Sequence, residues 1–282
     1  VDNEITDLSA TLGRVLFYDK RLSRNNTISC SSCHNQSNGF GNTATASTGV
    51  AGTTGRHSMR LINARFATEA TFFWDERAAS AEAQATQPIQ DHVEMGFSGT
   101  LGDPSFPDLA AKLAAIEEYQ VLFQGVFGDT VVTEQRVGKA IAQFVRSLQS
   151  FDSKYDAGRA VRNDGQAFPN FSASENTGKA LFLAPPNQGG AGCAGCHRPP
   201  QFDIYPNSGN NGLVSKIGGG TDTTNSSGVT NVGYLFQTSP DLVDWTSTAI
   251  NASATGGLEM TVPKTEGAGQ VFYRFAYGVS AD

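Results

Sequence analysis

The chain has 282 residues, of which 39% are hydrophobic, and 20 Lys+Arg stand against 27 Asp+Glu for a net charge of -7. That length can bury a sizeable core and predicts about two domains. No apolar run approaches the length of a bilayer span, so no membrane span is expected, and the acidic balance argues against nucleic acid as a partner.

In chain order the elements read as mainly α-helical with long loops. The sequence opens at Val1 without a basic stretch followed by an apolar one, so any signal peptide is expected to have been removed. Over 6–18, Leu8, Leu12, Val15 and Leu16 recur at helical spacing, with Gly13 as the one weak point. Cys30-Ser31-Ser32-Cys33-His34 follows, and then a polar, Gly-rich loop over 35–56. The repeat of Leu109, Leu113, Ile116 and Val121 predicts a helix over 107–124. The clearest helix is 133–150, with Val137, Ile141, Phe144, Val145 and Leu148 on one face and Thr133 as its N-cap. Ser172 or Ser174 is placed to cap another helix, which carries Ala180, Leu181 and Phe182 toward Cys193-Ala194-Gly195-Cys196-His197. After a second polar loop over 205–230, the runs Tyr234–Phe236, Leu242-Val243 and Val271–Phe275 predict short strands.

All four cysteines fall into two copies of C-x-x-C-H, the c-type haem attachment signature. Two thiols three residues apart reach the two vinyl groups on one porphyrin edge, and the adjacent imidazole turns under the ring as proximal iron ligand. A zinc ribbon would place its two knuckles about 15–20 residues apart; here they stand 163 positions apart. Two disulfides would not require a histidine after each pair. The reading is two covalently bound haem c groups, one on Cys30, Cys33 and His34, the other on Cys193, Cys196 and His197. In bacteria that attachment takes place outside the cytoplasmic membrane, so a periplasmic or secreted location is expected.

Further motifs carry a resemblance. Leu12-Gly13-Arg14-Val15-Leu16-Phe17-Tyr18-Asp19, Leu22-Ser23, Gly39-Phe40, Gly55-Arg56 and Leu61-Ile62-Asn63 surround the first haem motif. Phe73-Trp74-Asp75-Glu76-Arg77-Ala78, Gln84-Ala85, Pro88-Ile89 and Glu94-Met95-Gly96 follow it. In these stretches, and again over 178–220, the chain resembles the bacterial di-haem cytochrome c peroxidase family, which includes the MauG-type enzymes. The resemblance implies an N-terminal, peroxidatic haem domain over 1–155. A second, atypically short electron-transfer haem domain follows over 156–230, and a β-rich tail over 231–282. It also implies reduction of hydrogen peroxide to water at the His34 haem, with electrons from a small donor protein, a cytochrome c or cupredoxin, relayed through the His197 haem. Glu94 and Gln84 then stand over the peroxide-binding face, Trp74 between the haems, and a homodimer is the family habit.

The chemistry suits these roles, because peroxide cleavage needs a group that takes a proton from one oxygen and returns it to the other. Three departures qualify the match. Residues 35–56 contain no histidine, where many relatives carry one that blocks the first haem; a five-coordinate or water-bound haem that needs no reductive activation is expected. His57 and Met59 replace an asparagine associated with an inter-domain calcium and a proline, which makes His57 a candidate haem or metal ligand; the loss of the family's C-terminal haem pattern weakens the calcium expectation. His92, two residues before Glu94, is a candidate to line the pocket. After residue 220 the family's C-terminal haem pattern is missing, leaving Met260, Tyr234, Tyr273 and Tyr277 as candidate sixth ligands of the second haem. Two other readings stand beside the peroxidase: a MauG-like oxidase acting on a partner protein, and a non-enzymatic electron-transfer cytochrome.

Overall fold

Side-chain caps and apolar spacing set the helices of this chain. The structure, a computed structural model, describes residues 3–67, 71–204, 232–239, 246–250 and 272–279. Contacts divide the chain into two units, Val1–Asp222 and Thr223–Asp282. The first is built mainly from α1 (Asp7–Tyr18), α2 (Cys30–Cys33), α3 (Ala81–Gln90), α4 (Phe106–Ala114), α5 (Glu117–Phe127), α6 (Glu134–Ser147), α7 (Lys154–Arg159) and α8 (Ala173–Leu183).

Helix α1 begins where the Thr6 hydroxyl accepts the Ser9 N–H at 3.2 Å, and it buries Leu12, Leu16 and Phe17. Its partner α6, capped by Thr133, buries Val137, Ile141 and Phe144. Gly13 lies where the two cross: a Cβ there would stand 1.9 Å from the Ala140 carbonyl oxygen. The residue that weakens the helix locally therefore permits its closest packing. The core centres on Leu12, Leu16, Ile89, Leu109, Tyr119 and Val137.

Two predicted helices differ in extent. The 107–124 segment forms two helices because Ile116 adopts an extended conformation, with φ -101° and ψ 121°. The break resets the register, so Tyr119 and Phe123 face the core while Val121 is 67% exposed. Helix α6 stops at Ser147 rather than near 150, because Asn63 captures the chain beyond it. The Asn63 N–H donates to the Leu148 carbonyl at 2.8 Å, and its side chain exchanges bonds with the Ser150 backbone at 2.8 and 3.0 Å. Helix α8 is capped by Ser172 in a capping box with Glu175.

Two short strands close the described part of the first unit, β1 (His197–Arg198) antiparallel to β2 (Asp203–Ile204). In the second unit β3 (Val232–Ser239), β4 (Thr246–Ile250) and β5 (Phe272–Val279) pair antiparallel in the order β4-β3-β5. Tyr234 is in register with Tyr277, and Phe236 with Phe275. Leu242, Val243 and Met260 lie outside the described residues.

Candidate functional site

The first C-x-x-C-H motif is wound into one turn of helix. Ser29 and Ser32 close its start in a capping box, with the Ser29 N–H donating to the Ser32 hydroxyl at 3.0 Å. Cys30 and Cys33 are free thiols. Burial, with Cys33 and Glu94 nearby, pushes the Cys30 thiol up to about 12. The His34 Nδ1–H donates to the Phe40 carbonyl at 2.9 Å, and the Met59 backbone also acts on the imidazole. Burial holds the imidazole below its usual pKa and so favours the neutral form that binds metal. Phe17, Phe40 and Phe144 pack as an aromatic wall against Cys30. Two unpaired thiols, an imidazole held in one tautomer and an apolar wall fit a covalently held haem.

Glu94 rises from a turn that follows α3. The Asp91 carboxylate accepts the N–H groups of Val93 and Glu94 at 2.8 and 2.9 Å. The loop over 47–54 closes onto this turn: Val50 N–H donates to the Glu94 carbonyl at 3.1 Å and Ala51 N–H to the Val93 carbonyl at 3.2 Å. Gly49 makes that contact possible, since a Cβ there would lie 2.0 Å from the Val93 carbonyl oxygen. Glu94 is near enough for its charge to raise both Cys30 and Cys33. Burial, then the Asp91 charge, lift the Glu94 carboxyl above its usual range, and Arg77 opposes them.

Arg77 belongs to the Phe73–Ala78 segment, a tight loop closed by a bridge between Phe72 and Ala78. Its guanidinium stacks 3.5 Å from the Phe73 ring centre and pairs with Asp75 at 2.8 Å. Asp75 also pairs with Arg56 at 2.8 Å. Trp74 donates its indole N–H to the His57 carbonyl at 2.8 Å, while the His57 Nδ1–H donates to the Ala44 carbonyl at 2.8 Å.

The structure thus sets the charge of Glu94 against Cys30 and Cys33, that of Arg77 against Glu94, and Trp74 against His57. No hydrogen bond among the described residues joins Gln84, half-buried on α3, to Glu94. His92 is engaged by Asp103 at 2.8 Å. No group of three His, Cys, Asp or Glu side chains that could hold a metal ion occurs among the described residues. No signal in the sequence assigns Gly49 or Asp103 a role, and Arg77 stands only within its motif; the paired glycines at 49 and 52 are the available sign of a tight hairpin in the 47–54 loop.

At the second motif, Cys193–Gly195 forms a short helical turn, with Cys193 half-buried and Cys196 and His197 exposed. Beside it runs an apolar groove lined by Tyr155, Phe171, Phe182, Leu183, Pro199 and Phe202. The Phe202 ring lies 5.0 Å from Tyr155 and 5.6 Å from Phe182. Thiols, imidazole and aromatic lining again suit a haem.

A mainly helical unit bearing two such motifs defines the class of c-type haem proteins. Within that class the chain belongs to the di-haem cytochrome c peroxidase family, whose family model matches residues 8–165. It is 32% identical over 203 residues to the methylamine utilization protein MauG of Methylophilus methylotrophus, covering 72% of this chain and 56% of that protein. It is 35% identical over 196 residues to the cytochrome c551 peroxidase of Nitrosomonas europaea, covering 68% and 52%. Among solved structures, a MauG-like protein associated with microbial copper homeostasis superposes with a TM-score of 0.59 at 29% identity, covering 72% of this chain and 56% of that one. The chain spans about half the length of the curated relatives it matches. No helix among the described residues is long and apolar enough to cross a membrane.

Proposed function

We propose that this chain is a di-haem c-type peroxidase that reduces hydrogen peroxide to two waters, taking up two electrons and two protons per turnover. Cys30 and Cys33 bind one haem covalently with His34 as proximal ligand; Cys193, Cys196 and His197 bind the other. Haem, when bound, supplies the redox-active iron for peroxide cleavage. Glu94 accepts a proton from one peroxide oxygen and returns it to the departing one as water forms. Gln84 orients the peroxide and Trp74 stands on the electron route between the two motifs. A small cytochrome c or cupredoxin is the electron source. Covalent attachment implies the periplasm or exterior, and residues 1–155, 156–230 and 231–282 serve as peroxidatic domain, electron-entry domain and tail.

The observation that carries this reading is the half-buried Glu94, its turn fastened by Asp91 and by the 47–54 loop, with its charge acting on Cys30 and Cys33. A pure electron carrier needs no proton-transfer group at that place. The deciding experiment compares parent and Glu94→Ala holoproteins in peroxide turnover with a reduced donor, alongside the mass of each denatured protein. Loss of turnover with both haems still attached supports the reading; retained turnover removes it.

A MauG-like oxidation of a partner protein has its own support in the 47–54 loop, which lacks histidine and is bonded to Val93 and Glu94. Such a loop leaves the first haem open without prior reduction. Peroxide consumption with a candidate partner protein, but not with small donors, would select this alternative.

A further inference from the structure

Asp103 joins the two flanks of the turn that presents Glu94. Its side chain is fully buried and gathers three donors. The Arg24 guanidinium pairs with one oxygen, and the His92 Nδ1–H and Ser98 hydroxyl donate to the other at 2.8 and 2.7 Å. His92 precedes Glu94 by two positions and Ser98 follows it by four. Arg24 joins from a distant segment: its backbone N–H donates to the Met95 carbonyl at 2.9 Å, and its side-chain stem packs against Gly96.

We propose that His92 is a positioning residue for Glu94, acting through Asp103 to hold the Asp91–Gly96 turn that carries the Glu94 carboxyl. Arg24 already neutralises Asp103, so the imidazole is not needed to balance that buried charge. What His92 adds is direction, because its Nδ1–H ties the N-terminal flank of the turn to the carboxylate that Arg24 and Ser98 hold from the other side. The neutral Nδ1–H tautomer and the imidazolium both present this donor, so the contact does not depend on His92 changing charge. A carboxyl displaced by about 1 Å loses much of its effectiveness in proton transfer. The role rests on Glu94 acting in peroxide turnover as proposed above.

The test uses holoprotein with both haems in three variants. His92→Ala deletes the donor. His92→Asn returns an N–H close to the Nδ1 position without a titratable ring, and His92→Leu deletes the donor but keeps bulk should the alanine variant not accumulate. The protonated Glu94 carbonyl band, assigned by its disappearance in Glu94→Gln, is followed by infrared difference spectroscopy against pH, and kcat and KM for peroxide are measured beside it. With the donor deleted, the turn opens to water and the Glu94 band titrates at lower pH. Turnover then falls on the order of tenfold or more, and His92→Asn restores both. An unmoved Glu94 titration in His92→Ala or His92→Leu overturns the proposal. So does a shift that His92→Asn fails to reverse, because that traces the effect to packing. If Glu94→Gln turns over normally the peroxidase role of Glu94 fails, while the infrared comparison still decides whether His92 positions it.

Discussion

The indole N–H of Trp74 is bonded to the backbone carbonyl of His57 at 2.8 Å, and the His57 ring is bonded in turn to Ala44. Trp74 is thereby fastened to the loop that follows the first haem motif. The acceptor is a backbone atom, so it survives replacement of the His57 side chain. Trp74→Phe should lose the bond, worth about 1 kcal/mol, and slow donor-driven turnover roughly fivefold or more with both haems retained. His57→Ala should slow it less. Steady-state turnover, with near-ultraviolet circular dichroism to follow the indole, checks the ordering; equal losses would show that the histidine ring itself matters.

In the proposed role Glu94 acts as a base only when deprotonated, so turnover should rise with pH through its titration. Burial and Asp91 raise that titration above the ordinary carboxylate range, and Arg77 holds it down. Glu94→Gln should cost about 10²–10⁴-fold in kcat. Arg77→Gln removes the opposing cation, so the acid limb of kcat/KM for peroxide should move to higher pH. A limb that stays in place in Arg77→Gln would separate Arg77 from the electrostatics of Glu94.

Gly49 lies against the Val93 carbonyl at a distance no Cβ can occupy. Gly49→Ala forces the 47–54 loop off the Glu94 turn and breaks the Val50 and Ala51 backbone bonds. A stability loss of about 1–3 kcal/mol is expected by denaturant unfolding, with turnover falling further than that loss explains. Gly125→Ala, on α5, serves as control, since a Cβ there meets nothing within 4 Å.

Both haem motifs were legible in the sequence because their chemistry sits in five contiguous residues. Glu94 and Trp74 are singled out only through the resemblance, since a single carboxylate or indole carries no signature. The partners that position them were not legible at all. The Trp74 acceptor is a carbonyl, which every residue possesses, and Asp103 reaches its donors through turns that no periodicity encodes. The break at Ile116 escaped because neither proline nor glycine marks it. The end of α6 escaped because Asn63, which stops it, is 87 positions from its bonding partner Ser150.

The same long-range logic makes Glu82 a stability determinant away from the haem motifs. Its carboxylate on α3 pairs with Arg146 at the end of α6 and accepts the Asn3 amide at 2.7 Å. Burial by itself would raise its pKa, but the bonds from Arg146 and Asn3 outweigh that and lower it to about 2. A depressed folded-state value means that the unfolded chain binds the proton more tightly, so the ion pair stabilises the fold above the unfolded pKa near 4.5. That contribution, on the order of 2–3 kcal/mol, is lost as pH falls through the folded value. Glu82→Gln should therefore lower the denaturation midpoint at pH 7. The gap between variant and parent should narrow below pH 4.5 and nearly close toward pH 2. Denaturant titrations of both proteins at several pH values measure it. A gap that persists undiminished at the acid end would assign the loss to packing between α3 and α6 instead of to the charge.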